Sequence, residues 1–286
     1  MAATAAESAV PAVRFRIRRA RPGAFLAAAL LVLLLAAALF PGLFTDTSPT
    51  ATDPVNALQA PSGENWFGTD QLGRDTYTRV VFGARTSLLI GLGATAFAVV
   101  SGMVLGLAAA LGGRVADNLL MRAADVLLAL PELLLALLIV TVLGTGTTNV
   151  MIAVALAAAP GYARLVRAEA LVVRGAGYVE AAAVLGLPRR TVVVRHVLPN
   201  TVGPLLVMGT IGFGTALINA SGLSFLGLGA QPPSPEWGAM LSEGRNFLDT
   251  AWWIGVFPGA AVTVAVIAVN VAGHRARVRF HGGTPR

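Results

Sequence analysis

Between two long apolar runs lies a polar, arginine-bearing stretch, 180–200, that holds Glu180, Arg189, Arg190, Arg195, His196 and Asn200 around a Gly-Leu-Pro corner. The residue types available elsewhere limit the chemistry such a stretch could perform. All 21 basic residues are arginine, so no Gly-Lys-Ser/Thr element can reach the β- and γ-phosphates of a nucleotide. Cysteine is absent, which removes disulfides, thiolate metal sites and cysteine nucleophiles, and His196, His274 and His281 are too scattered to assemble a zinc site. The sequence contains no His-Glu-x-x-His and no evident nucleophile–base constellation. Within the apolar runs, Asp125 and Glu132 stand seven apart, on roughly one helix face. An ionisable group inside a membrane is a functional candidate by default. Both of these, however, fall in the first turns of their run, where interfacial placement accounts for them, and neither is assigned as a substrate ligand. Asn219, Ser221 and Ser224 remain as candidates for a polar translocation path. No metal or covalent chemistry is expected of this chain.

The elements that must position these residues follow from composition. With 56% hydrophobic and 12% charged residues among 286, the chain is far more apolar than a soluble domain, in which the charged share is about 25%. It reads as an all-α, polytopic membrane protein. The net charge of +7 does not gather on one face. The arginines flank apolar runs as topology signals do, and nucleic-acid binding is set aside.

In chain order, Arg14, Arg16, Arg18, Arg19 and Arg21 end a basic leader, 1–22. The first span follows at 23–44, near the ~20 residues that cross a bilayer and longer than the core of a cleaved signal, so it is read as a retained signal-anchor. An outer loop, 45–87, is rich in Thr, Pro, Ser and Asp. It closes on a helix N-capped by Asp75, with Tyr77, Val80, Val81 and Ala84 on one side and Arg79 and Arg85 on the other, read as an amphipathic helix lying in the interface, the alternative being a simple continuation of the second span. A core of five further spans occupies 88–273. The second, 88–111, carries Gly91, Gly93, Gly102 and Gly106, which let helices approach closely. The third is expected at 126–143, interrupted near its start by Pro131, and the fourth at the short run 150–159. That fourth span is needed for charge asymmetry: with it, only Arg74, Arg79, Arg85 and Arg245 lie outside, whereas without it the loop holding Arg164 to Arg195 would face outward. The fifth span is 201–228. A proline-stiffened outer loop, 231–246, then leads to the last span at 251–272, with Trp237, Trp252 and Trp253 expected at the membrane interface. The tail, 274–286, and the leader are both expected on the cytoplasmic side of the cell membrane.

Inside the loop 163–200, Ala181 to Leu185 is a helix-forming run, Gly186 suits the left-handed position after a helix end, and Pro188 suits the first turn of the next helix. Two short helices joined by a corner would make a docking knob. Glu180, Ala181 and Ala182, then Gly186, then Leu198 and Pro199, resemble the "EAA" motif of prokaryotic ABC importer permeases. Two further stretches, Gly68-Thr-Asp-Gln-Leu-Gly-Arg-Asp75 and Leu223-Ser-Phe-Leu-Gly-Leu-Gly-Ala-Gln-Pro-Pro-Ser-Pro-Glu-Trp-Gly238, are similar to the C-type permease subunits of dipeptide, oligopeptide and nickel importers. The resemblance implies a six-span, type I importer permease that pairs with a second homologous permease, two cytoplasmic ATPase subunits and an extracytoplasmic substrate-binding protein. ATP and Mg would be bound by the partner subunits, leaving no cofactor and no catalytic residue in this chain. It also implies that Glu180, Ala181, Ala182, Gly186, Leu198 and Pro199 couple the pore to the ATPases, and it leaves dipeptides, longer peptides and nickel open as cargo. The tail departs from the pattern, with His274-Arg-Ala-Arg-Val-Arg-Phe280 where the family has an acidic Asp-Pro-Arg-like sequence. An ion-driven secondary transporter would instead call for an internal repeat and a buried charged pair near the midplane, and neither is evident.

Overall fold

The computed structural model describes residues 22–281. The leader arginines lie outside the described residues, as do the side chains of Glu180 and of the tail from Arg275 onward. No strand occurs among the described residues; the chain is a helical membrane protein. Its helices are α1 (Pro22–Leu39), α2 (Thr76–Leu111), α3 (Arg114–Leu128), α4 (Glu132–Leu143), α5 (Thr147–Arg174), α6 (Gly177–Val184), α7 (Arg189–Val192), α8 (Leu198–Phe225), α9 (Trp237–Gly244) and α10 (Trp253–His281). Four stretches are long and apolar enough to cross a membrane: α2, α5, the continuous run Arg189–Phe225 through α7 and α8, and α10 as far as His274. The α3–α4 pair adds a fifth if counted as one broken span. Against the six expected, the remaining apolar helix is α1, whose apolar part Phe25–Leu39 is shorter.

The central seam joins α2 to α5. Along α2, Ala94, Ala98, Gly102, Gly106 and Ala110 recur every four residues and are all buried, the small-residue spacing that brings backbones together where lipid offers no hydrophobic drive. A Cβ added at Gly106 would lie 2.5 Å from the Ala163 carbonyl oxygen, and one at Gly102 would lie 2.4 Å from the Tyr162 Cβ. The main core grows around this seam from Val140, Val150, Val154, Leu205 and Leu223. A second core, with Trp237, Leu217 and Phe213, joins α1, α8, α9 and α10.

Three expectations about elements change. The interfacial helix at 76–87 is not separate: Asp75 caps the first turn, its carboxylate accepting from Thr78 N at 2.8 Å, but the helix then runs 36 residues without a break. Arg79, placed on its polar side, is 1% exposed. The third span is likewise not one helix. Pro131 has no N–H and disfavours helical geometry at Leu130, and the chain bends there by 98°. Upstream of the bend, α3 is the element with an amphipathic pattern: Val115, Leu119 and Val126 are exposed, while Asp117 binds Arg167 Nε at 2.5 Å and Asp125 lies 3.6 Å from Arg164. The twelve residues of α4 rise only ~18 Å, short of a ~30 Å hydrocarbon core. The fourth span is longer than its apolar run, because α5 continues through Pro160 and Gly161 to Arg174.

Candidate functional site

The loop between α5 and α8 turns at the Gly-Leu-Pro corner expected from its punctuation, with two differences. At the end of α6, Gly186 has φ 80°, and Leu187 N–H reaches back to Ala182 O at 3.2 Å, the closure expected of a helix whose C′ residue is left-handed. Pro188 stands one residue earlier than expected, as N-cap of α7, where it accepts from Thr191 N–H at 2.8 Å. The second "short helix" is not short, since α7 passes into α8 through one widened turn, Val193–Val197. Its cause is Pro199, which cannot donate to Arg195 O and whose ring would clash with it. The turn therefore closes from Leu198 N–H to Val193 O. Asn200 Nδ2 adds a bond to His196 O at 2.6 Å and another to the Tyr178 hydroxyl at 3.3 Å, tying this turn to α6.

The knob is seated on the ends of α2 and α5. Val197 packs with Ala110 and Ala170, and Val179 is buried. The final carbonyls of α2 lack helical donors. Arg174 Nη1 donates to Ala110 O at 3.3 Å and Arg189 donates to Leu111 O, placing two cations at the negative end of that helix. Facing away are Val184, 87% exposed, and Leu185, 79% exposed. Of the six residues implied for coupling, Ala182 is buried in the seat, Ala181, Gly186 and Pro199 are exposed, and Leu198 is half-buried; the Glu180 side chain is outside the described residues.

On the opposite end of the bundle, the first of the two other motifs is tied to α9 and the second to α2. The Asp70 carboxylate accepts from Leu72 N at 2.9 Å, Arg74 N at 3.0 Å and Arg74 Nε at 2.5 Å. Arg74 Nη2 also donates to Glu243 Oε2 at 2.8 Å, and Arg79 Nη2 donates to the same oxygen at 3.2 Å. Two acids and two arginines, nearly all buried, thus fasten the outer loop to α9. Glu236 caps α9, accepting from Gly238 N at 2.9 Å and Ala239 N at 2.8 Å, and takes a third bond from Ser87 Oγ. Burial pushes its carboxyl up from the ordinary glutamate range, and the two backbone N–H groups pull the other way. Trp237 was expected at the membrane interface. Instead it is a core side chain, 1% exposed, with its indole N–H on Val80 O at 2.9 Å. Trp253 is also buried and donates to Thr69 O at 3.0 Å, while Trp252 is exposed.

The candidate path residues part company. Ser221 and Ser224 are buried against α9, where a Cβ on Gly238 would lie 2.5 Å from Ser221 O. Asn219 points elsewhere and donates from Nδ2 to Glu132 Oε1 at 3.1 Å. Glu132, which sequence reasoning left unassigned, lines a cavity of about 240 Å³ between the α3–α4 corner, α5 and α8, together with Tyr162, Gly161, Gly212 and Thr215. Its acidity inside an apolar run was the available signal; its distance of 87 residues from Asn219 hid the pairing.

Comparison with known proteins places this geometry. Residues 102–281 match the family model "Binding-protein-dependent transport system inner membrane component". The dipeptide transport system permease protein of Alkalihalophilus pseudofirmus is 44% identical over 82% of this chain and 78% of its own length. A probable D,D-dipeptide transport system permease of Escherichia coli K12 is 41% identical over 86% of this chain and 83% of its own. Among solved structures, an inward-facing form of the MetNI methionine ABC transporter matches with a TM-score of 0.58 at 18% identity, over 70% of this chain and 95% of that one. A second, an amino acid ABC transporter crystallised with histidines, gives 0.56 at 16% identity.

Proposed function

Because this chain belongs to the family of binding-protein-dependent transport system inner membrane components, we propose that it is a pore-forming permease subunit of an ATP-driven importer of dipeptides or oligopeptides. The peptide cargo follows the names of its relatives. The partners are a second homologous permease, two cytoplasmic ATPases that bind ATP and Mg, and an extracytoplasmic binding protein. In this reading α1 is the sixth span, both termini face the cytoplasm, and the knob is the coupling loop.

The observation that carries the proposal is the knob's construction. Val184 and Leu185 are exposed apolar side chains on an arginine-rich loop outside the apolar spans, where a protein surface is their natural cover. Behind them, Arg189 and Val197 fix the knob to the ends of α2 and α5, which Arg174 joins to each other. A push on the exposed side therefore moves the two helices of the central seam together, and such rigid-body movement opens a pore to one side and then the other. No bond of the cargo is made or broken.

Uptake of a radiolabelled dipeptide by liposomes holding this chain with its partner permease and ATPases, supplied with binding protein and internal ATP, tests the reading. Uptake that requires all components is the expected result. Peptide transport or ATP hydrolysis by this chain alone would overturn it.

A further inference from the structure

Glu132 is the one charged residue lining the cavity between α3, α4, α5 and α8. The acids of α3, by contrast, have their charges matched: Asp125 faces Arg164, and Asp117 is held by Arg167 through two bonds of 2.5 and 2.7 Å. No arginine or histidine lies within 4 Å of the Glu132 carboxylate among the described residues, and its recorded partner is the neutral Asn219 amide. An ionised carboxylate beside an apolar span is costly unless a cation or several donors answer it. The cavity, about 240 Å³, has room for such a group. Polar atoms are few there: Thr215 lines the wall, and the Tyr162 hydroxyl lies over Gly212, where a Cβ would come within 1.8 Å of it. The rest of the wall is apolar and includes Leu127, Leu130, Leu165 and Met208, flexible side chains that accommodate varied shapes.

We propose that Glu132, oriented by Asn219, is a transient docking point for the α-ammonium group of the peptide in transit. This deepens the peptide-importer reading and rests on it. The chemistry suits a path that must pass many sequences. The single carboxylate answers the one charged group at the amino terminus of every unmodified peptide, and the apolar wall tolerates the side chain beside it. Affinity stays low, as release requires, because the site offers one charge and few donors rather than a closed cage. Asn219 belongs to the path through this contact; Ser221 and Ser224, packed on α9, do not.

The test uses the complete transporter in liposomes with a free-amino dipeptide as probe, comparing wild type with Glu132→Gln, which keeps the bond from Asn219, and with Glu132→Asp. Uptake and binding-protein-stimulated ATP hydrolysis are measured on the same vesicles, so that hydrolysis reports assembly. Glu132→Gln is expected to lower uptake per ATP roughly tenfold, the factor contributed by one charge-assisted hydrogen bond, with hydrolysis retained and partial recovery in Glu132→Asp. Unchanged uptake per ATP in Glu132→Gln overturns the site while leaving the importer reading intact. Loss of uptake and hydrolysis together means that the residue supports the fold, and also overturns the site. Wild-type uptake that depends on which alkali cation is present would assign the carboxylate to an inorganic ion instead. No peptide uptake by the wild-type assembly overturns the importer reading and, with it, this one.

Discussion

At the scale of single residues, Gly186 and Arg79 show two ways in which one side chain, or its absence, commits the structure. A Cβ at Gly186 would meet nothing within 4 Å, so the requirement for glycine comes from its φ of 80° alone. Strain there is of order 1 kcal/mol or more for an ordinary L-residue and least for asparagine. Uptake per molecule of membrane-inserted protein should therefore fall in the order Gly, Asn, Ala, Val, with insertion unaffected because the loop lies outside the spans. Gly186→Val transporting normally per molecule would remove the knob from the coupling mechanism. Arg79 is the opposite case, a buried cation answering Asp70 and Glu243. Removing one partner from such a cluster strands the others, at a cost of about 3 kcal/mol. Arg79→Ala should lower the melting temperature in detergent well beyond Arg85→Ala, whose side chain is exposed. Equal melting of the two variants would show that the network contributes little.

At the scale of elements, the α2–α5 seam and the α3–α4 corner set the shape. Gly106→Leu must push the Ala163 backbone away, since even the first added carbon would lie 2.5 Å from its carbonyl oxygen. Overpacking of this kind costs about 1–3 kcal/mol or more. The expected outcome is a lower melting temperature and a protein more readily cleaved by protease, whereas Gly161→Leu, directed into open space, should melt as the wild type does. The motifs that most specify the family also act at this scale. Asp70, Arg74, Glu236 and Trp237 do not face a passage: they fasten the outer loop, α2 and α9 to one another.

At the scale of the whole molecule, the bundle separates Arg74 and Arg79, at the start of α2, from the arginines of α3, α5 and α7. Two of the four arginines expected outside, Arg74 and Arg79, are held in buried ion pairs and present little free charge there. Those of the α3–α5–α7 end are more exposed, which leaves the charge asymmetry sharper than the sequence count. The absence of native cysteine makes the orientation measurable. Leu185→Cys, on the knob, should react with a membrane-impermeant thiol reagent only after the cells are opened, while Ser234→Cys should react in intact cells. Labelling of Leu185→Cys from outside would invert the topology.

Composition and periodicity alone determined that this is a helical membrane protein, and local backbone chemistry determined the corner at Gly186 and the cap at Asp75. Those properties depend on residues within a turn of one another, so the sequence states them directly. Tertiary structure decided what depends on distant partners. Arg79 reads as the polar side of a surface helix until Asp70 and Glu243 enclose it. Trp237 reads as an interfacial aromatic until α2 and α8 close over it. Ser221 and Ser224 read equally as packing or path residues, and their burial follows from Gly238, which lets α9 approach them. Glu132 and Asn219 read as unrelated residues until the fold brings them into contact. In each case a polar or amphipathic side chain has two acceptable environments, and only the packing of helices far apart in the chain selects one.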